Sequence, residues 1–135
     1  MAGARHQFIL GLIVKLMREQ GITIIGVDGN YPGLFGEKIT MPPQILRHRP
    51  DIIGIRENGQ ICIGEAKTEN DLTNNRTYSQ IQDFTSIELN NKYCDVFIGI
   101  PKSSGELFRK SMIKLGLLGC EYIHVLYIPE EIINE

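Results

Sequence analysis

Apolar positions fall into runs along the chain, and their spacing changes from run to run. Between residues 3 and 20, Phe8, Ile9, Leu12, Ile13, Leu16 and Met17 recur at the three- and four-residue intervals of a helix, and Gly21 supplies a stop. Leu10 and Val14 widen the apolar stripe beyond one face, so this helix is expected to be covered by a sheet and, on its other flank, by a partner subunit. The run ITIIGV at 22 to 27 is rich in β-branched residues and reads as a strand. The turn-rich stretch from 28 to 48, with Pro42-Pro43 late in it, is long for a connector and points to ligand contact.

Two further strands surround a turn in RPDIIGIRENGQICIGEAK, residues 49 to 67. A polar loop, TENDLTNN, leads to a helix expected over 76 to 91, then the strand DVFIGI at 95 to 100. Another helix is expected over 104 to 115, with Ser103 and Glu106 at capping-box spacing, and the strand YIHVLYI closes the chain at 122 to 128. The order helix, three strands, helix, strand, helix, strand predicts an α/β sandwich around a mixed sheet.

The hairpin allows two registers, and they differ in chemistry because a one-residue slip moves every side chain to the other face. A two-residue turn at Asn58-Gly59 pairs Glu57 with Gln60 and separates Asp51 from Glu65. A three-residue loop, Glu57-Asn58-Gly59 with Gly59 left-handed, pairs Arg56 with Gln60 and sets Ile55 against Ile61, Ile53 against Ile63 and Asp51 against Glu65. The second groups four isoleucines on one face, with Gly54, Cys62, Gly64 and Ala66 on the other, whereas the first scrambles large and small partners, and packing favours the second. Asp51, Glu65 and Lys67 then converge at the open end of the isoleucine face. Two adjacent carboxylates repel unless a proton or cation joins them, and a hard ion such as Mg²⁺ takes one or two carboxylates with water and phosphate oxygens.

Composition narrows this picture only slightly. The 135 residues suit one domain over 1–135, and 42% hydrophobic with 22% charged residues suits a packed one rather than a disordered chain. A formal net charge of −2 offers no global attraction for nucleic acid, so such binding needs a local basic patch. Arg47, His48 and Arg49 beside the acid pair form one, and Lys102, Arg109, Lys110 and Lys114 form a second candidate. The cysteines, Cys62, Cys94 and Cys120, are unpaired by spacing and read as buried small apolar residues in a reduced, cytoplasmic setting. Lys15 and Arg18 interrupt the apolar run at 8 to 14, which excludes a membrane helix there and leaves nothing like a signal peptide. His6, His48 and His124 are isolated in sequence and read as core or surface residues, with His48 a candidate for phosphate.

An acid-x-lysine triplet arises about once by chance in a chain of this size. Here Glu65-Ala66-Lys67 follows Pro50-Asp51 across a hairpin of suitable register and precedes a helix carrying Gln80 in QIQDF. In this context the chain resembles the PD-(D/E)XK nuclease superfamily over roughly residues 3 to 100. The resemblance implies a restriction-endonuclease-like fold and a metal-dependent endonuclease that hydrolyses DNA phosphodiester bonds. It implies Mg²⁺, or Mn²⁺ in its place, held by Asp51, Glu65 and the carbonyl of Ala66, with Lys67 steadying the attacking water or phosphorane charge. Gln80 would position Lys67 or the DNA backbone, with Gln82 the other candidate, and Phe84 stands where similar proteins often carry tyrosine. Several members place a glutamate ligand on the first helix, where this chain has Arg5-His6-Gln7; Glu19 and Glu37 are the remaining candidates, and metal number stays open.

In size and layout the chain is similar to small Holliday junction resolvases, which implies a homodimer. A restriction or repair-type nuclease would share the site. Two rival classes are a catalytically inactive nuclease-fold module that binds nucleic acid or protein, and a small protein that binds a divalent ion or phosphate metabolite.

Overall fold

The computed structural model describes residues 3–29 and 40–133. The hairpin adopts the three-residue register: in the antiparallel pair β2 (Ile52–Ile55) and β3 (Ile61–Ala66), Ile55 faces Ile61, Gly54 faces Cys62 and Ile53 faces Ile63. Gly59 at φ 89° occupies the left-handed region that a side chain disfavours, and its N–H closes the loop on the Arg56 carbonyl at 3.0 Å.

Helix α1 (Ala4–Glu19) precedes β1 (Thr23–Val27), which pairs antiparallel with β2. After β3 come a single 3₁₀ turn at Asp71–Thr73 and helix α2 (Asn75–Ser86), capped by the Asn74 side chain, which accepts from Arg76 N–H at 2.9 Å. A short hairpin, β4 (Glu88–Leu89) with β5 (Lys92–Tyr93), leads into β6 (Asp95–Pro101). Helix α3 (Gly105–Leu115), β7 (Ile123–Ile128) and α4 (Glu130–Ile133) complete the chain. The main sheet runs β1-β2-β3-β6-β7, with β6 parallel to both neighbours, so the expected α/β sandwich with a mixed sheet is present.

Alternation along the strands divides the core in two. Ile9, Leu10, Ile13 and Met17 of α1 pack on Ile52, Cys62, Ala66 and Phe97, while Ile53, Ile63 and Ile98 face Ile81, Phe84, Phe108 and Met112 of α2 and α3. The face under α1 is deliberately shallow. A Cβ at Gly99 would stand 2.8 Å from Ile9 Cγ2, and one at Gly64 would stand 3.1 Å from Ile13 Cγ2, so these glycines let α1 settle directly on β3 and β6. The remaining flank of α1 is covered in part by the chain itself, through Ile128 and Ile133; Leu12 and Leu16 stay half-buried beside a groove of about 300 Å³.

Two local expectations are corrected. The second long helix ends at Ser86 rather than 91, because Ile87 turns extended and Asn90 and Asn91, at φ 55° and 64°, form the left-handed pair of a tight hairpin turn. The Ser103–Glu106 capping box does not form: Ser104 is the N-cap without a side-chain bond, and Ser103 N–H donates instead to Glu130 Oε1 at 2.7 Å. Cys62 and Cys94 are buried free thiols, pushed up to about 11 by burial, and Cys120 is half-buried. Among the described residues no helix is long and apolar enough to cross a membrane.

Candidate active site

The β2–β3 ladder stops at Ile52 opposite Gly64, and the next step of the same register places Asp51 against Glu65. Side chains take over from the ladder there. The Asp51 N–H donates to Glu65 Oε2 at 2.7 Å, and the Ala66 N–H donates to Asp51 Oδ2 at 2.9 Å. Asp51 is tethered again through its carbonyl, which accepts from Asp28 N–H at 2.8 Å. Each carboxylate thus has one oxygen fixed by the partner strand, which sets the direction of the other.

Lys67 continues β3 by donating its N–H to the Gly99 carbonyl at 3.0 Å. Its Nζ lies 3.6 Å from Glu65 Oε1 and donates to Gln80 Oε1 at 2.5 Å. Gln80 reaches inward because it shares the buried stripe of α2 with Thr77, Ile81 and Phe84, whereas Gln82 points to solvent. Phe84 is fully buried, with the His48 ring edge-on to it at 6.4 Å.

Glu65 is only 1% exposed, and its pKa is raised to about 8, first by burial and next by the Asp51 charge, with Lys67 opposing. His6 also belongs here. Its Nε2 lies 3.3 Å from Asp51 Oδ2, and the contact with Asp51 raises its pKa against the effect of burial. Sequence reading assigned His6 a core or surface role, but a signal existed: it sits three, four and seven residues before Ile9, Leu10 and Ile13, on the sheet-facing stripe of α1.

The basic run beside the site is placed differently from a free phosphate patch. Arg47 donates to both oxygens of Asp83, at 3.1 and 2.8 Å, which holds the Asp83 carboxyl below its usual range. His48 is buried against Ser79 Oγ at 3.3 Å and Asp83 Oδ2 at 3.5 Å, and its pKa is lowered chiefly by burial. Arg49 is exposed and contacts the Met41 sulfur. Asp83, unremarked in the sequence, therefore pins the segment before Pro50 to α2. Glu19 lies at the far end of α1 from His6, about 20 Å along the axis. Glu37 lies outside the described residues. Lys102, Arg109, Lys110 and Lys114 are exposed, and Arg109 pairs loosely with Glu106 at 3.9 Å.

Among the described residues no group of three or more His, Cys, Asp or Glu side chains forms a metal cage. Two carboxylates, each with one oxygen committed to an amide, suit instead a hard ion that takes most of its ligands from water and substrate. Burial and the nearby Asp51 disfavour the ionised form of Glu65, a penalty that such a cation would offset.

Fold and site together define an α/β domain that presents an Asp-Glu-Lys constellation, braced by a glutamine, where a hairpin meets a parallel strand pair. No family model matches the chain, and no curated protein sequence matches it. One solved structure is similar, "crystal structure of a repair endonuclease from Pyrococcus abyssi", at 13% identity and TM-score 0.47, over 96% of this chain and 48% of that one. The chain spans about half the length of that protein.

Proposed function

We propose that the protein is a Mg²⁺-dependent endonuclease of the PD-(D/E)XK type acting on DNA. The observation that carries this reading is the reciprocal lock between Asp51 and Glu65 with Lys67 Nζ 3.6 Å from the Glu65 carboxylate. Asp51, Glu65 and the Ala66 carbonyl would hold Mg²⁺, or Mn²⁺ in its place. The ion would supply polarisation of the phosphate and acidification of a water.

The chain's own residues do the rest. The backbone bonds from Ala66 and Asp51 hold the two carboxylates at fixed angles, so little reorganisation is needed when substrate arrives. Gln80 anchors the Lys67 ammonium beside Glu65, where it offsets the charge that grows on the phosphate oxygens. Arg49, exposed beside Pro50, is the cation of the basic run best placed for a phosphate, since Arg47 and His48 are engaged by Asp83. The half-buried Leu12 and Leu16 on α1 support a homodimer as the working unit. A junction resolvase is the most specific form of this reading, and a restriction or repair nuclease would use the same groups.

A non-catalytic binding module is the rival, favoured by the net charge of −2 and by the engagement of Arg5 with Glu69 and Arg47 with Asp83. Labelled four-way junction, flap, duplex and single-stranded DNA, incubated with Mg²⁺ or chelator, separates the two. Metal-dependent cutting lost in Glu65→Gln supports the nuclease. Salt-sensitive binding without cutting supports the module.

A further inference from the structure

We propose that His6 is a positioning residue for Asp51, bracing the Oδ2 side of its carboxylate so that Oδ1 is the oxygen offered to the cation. This rests on the metal-site reading above and extends it to α1. Asp51 Oδ2 is met from two sides, by the Ala66 N–H at 2.9 Å and by His6 Nε2 at 3.3 Å. Among the described residues no N–H or O–H donates to Oδ1. The His6 contact is an ion-pair distance, a second polar neighbour on the Oδ2 side.

The brace is held by packing rather than by further polar bonds. His6 ends the stripe formed by Ile9, Leu10, Ile13 and Met17, all fully buried. The close approach of α1 at Gly64 and Gly99 fixes that stripe against β3 and β6, and so fixes the ring relative to Asp51. Its other nitrogen, Nδ1, is buried without a partner among the described residues, as is Nδ1 of His48. Partners that orient a ligating carboxylate typically change metal affinity about 10- to 100-fold when removed.

The test is Mn²⁺ binding to the full chain, followed by electron paramagnetic resonance, for the parent, His6→Ala, His6→Gln and Asp51→Asn, with melting temperatures alongside. His6→Ala is expected to weaken Mn²⁺ binding about 10- to 100-fold. His6→Gln, whose terminal amide presents an N–H toward the same oxygen, should recover most of that loss, a recovery that a space-filling role for the ring would not require. Parent-like binding by His6→Ala, or no recovery by a folded His6→Gln, overturns the bracing role. If Asp51→Asn also binds Mn²⁺ like the parent, the metal site itself is wrong; if only Asp51→Asn loses binding, the site stands and His6 does not brace it.

Discussion

The strand pair β3 and β6 carries buried acid at each end, and the two ends are balanced in opposite ways. At the start of β6, Asp95 accepts from Arg56 at 3.3 Å and faces His124 Nε2 at 2.9 Å, while the His124 ring stacks on Phe97 at 4.7 Å. One acid there meets two nitrogen donors from β7 and the hairpin loop. At the other end two acids, Asp51 and Glu65, share one ammonium and one imidazole, and the more buried acid is pushed toward its neutral form. The first arrangement ties three strands together. The second crowds two acids together in a buried place, which folding alone does not reward. Residue types at the two ends are nearly the same, so what distinguishes the clamp from the candidate site is that two acids meet at one end and a single acid stands at the other.

The sharpest way to break that contrast is to neutralise one acid at each end. Asp51→Asn should lower metal-dependent cleavage at least about 100-fold, the scale on which a single preorganised group acts. Its melting temperature should hold or rise, because a like-charge contact is gone. Asp95→Asn should leave cleavage within a few-fold and cost about 1–3 kcal/mol in denaturant unfolding, since Arg56 and His124 lose a charged partner. Cleavage that survives the first change, or that fails with the second in a folded protein, would erase the distinction.

The next effect is on pH and stability. The folded-state pKa of Glu65, about 8, lies above its ordinary value of 4.5. A raised acid holds its proton more tightly in the folded chain. Its contribution to stability is therefore full below the unfolded value and is lost as pH climbs through the folded one. In chelator, the melting temperature of the parent should fall between pH 5 and 8 more steeply than that of Glu65→Gln, by an amount on the order of a few kcal/mol at most. Mg²⁺ should reduce the difference. Parallel profiles for the two proteins would mean that Glu65 ionises without cost.

The smallest change concerns the brace on Lys67. Gln80→Ala frees the ammonium without altering the acids, and cleavage should drop about tenfold, roughly 1.4 kcal/mol, while the pH profile of stability keeps its shape. An unchanged rate would show that Lys67 needs no holding by α2.

Much of the site was legible because it lies within one hairpin. A glycine at the left-handed loop position and the alternation of Ile53, Ile55, Ile61 and Ile63 with Gly54, Cys62 and Gly64 favour one register, and that register puts Asp51 opposite Glu65. Gln80 was legible as a residue, since it follows the helical stripe of Ile81 and Phe84, but its hold on Lys67 depends on how α2 lies across the sheet. The long-range partners were not legible. Arg47 and His48 read as a phosphate patch until Asp83, 36 residues from Arg47, is seen to occupy them. The early end of α2 was missed because Asn90-Asn91 can stand in a helix as well as in a left-handed turn, and the pairing of β4 with β5 decides between them.

By itself, then, the sequence determined the periods of its elements, the hairpin register and the meeting of Asp51, Glu65 and Lys67, all matters of local backbone sterics and alternation. Only the tertiary structure decided which carboxylates stand alone among cations and which are crowded together. That depends on residues distant in sequence, on His6 brought down by α1 over Gly64 and Gly99, on Asp83 turned toward Arg47, and on Arg56 and His124 closing around Asp95. Charge balance in a buried place is a property of packing, and no spacing along the chain encodes it.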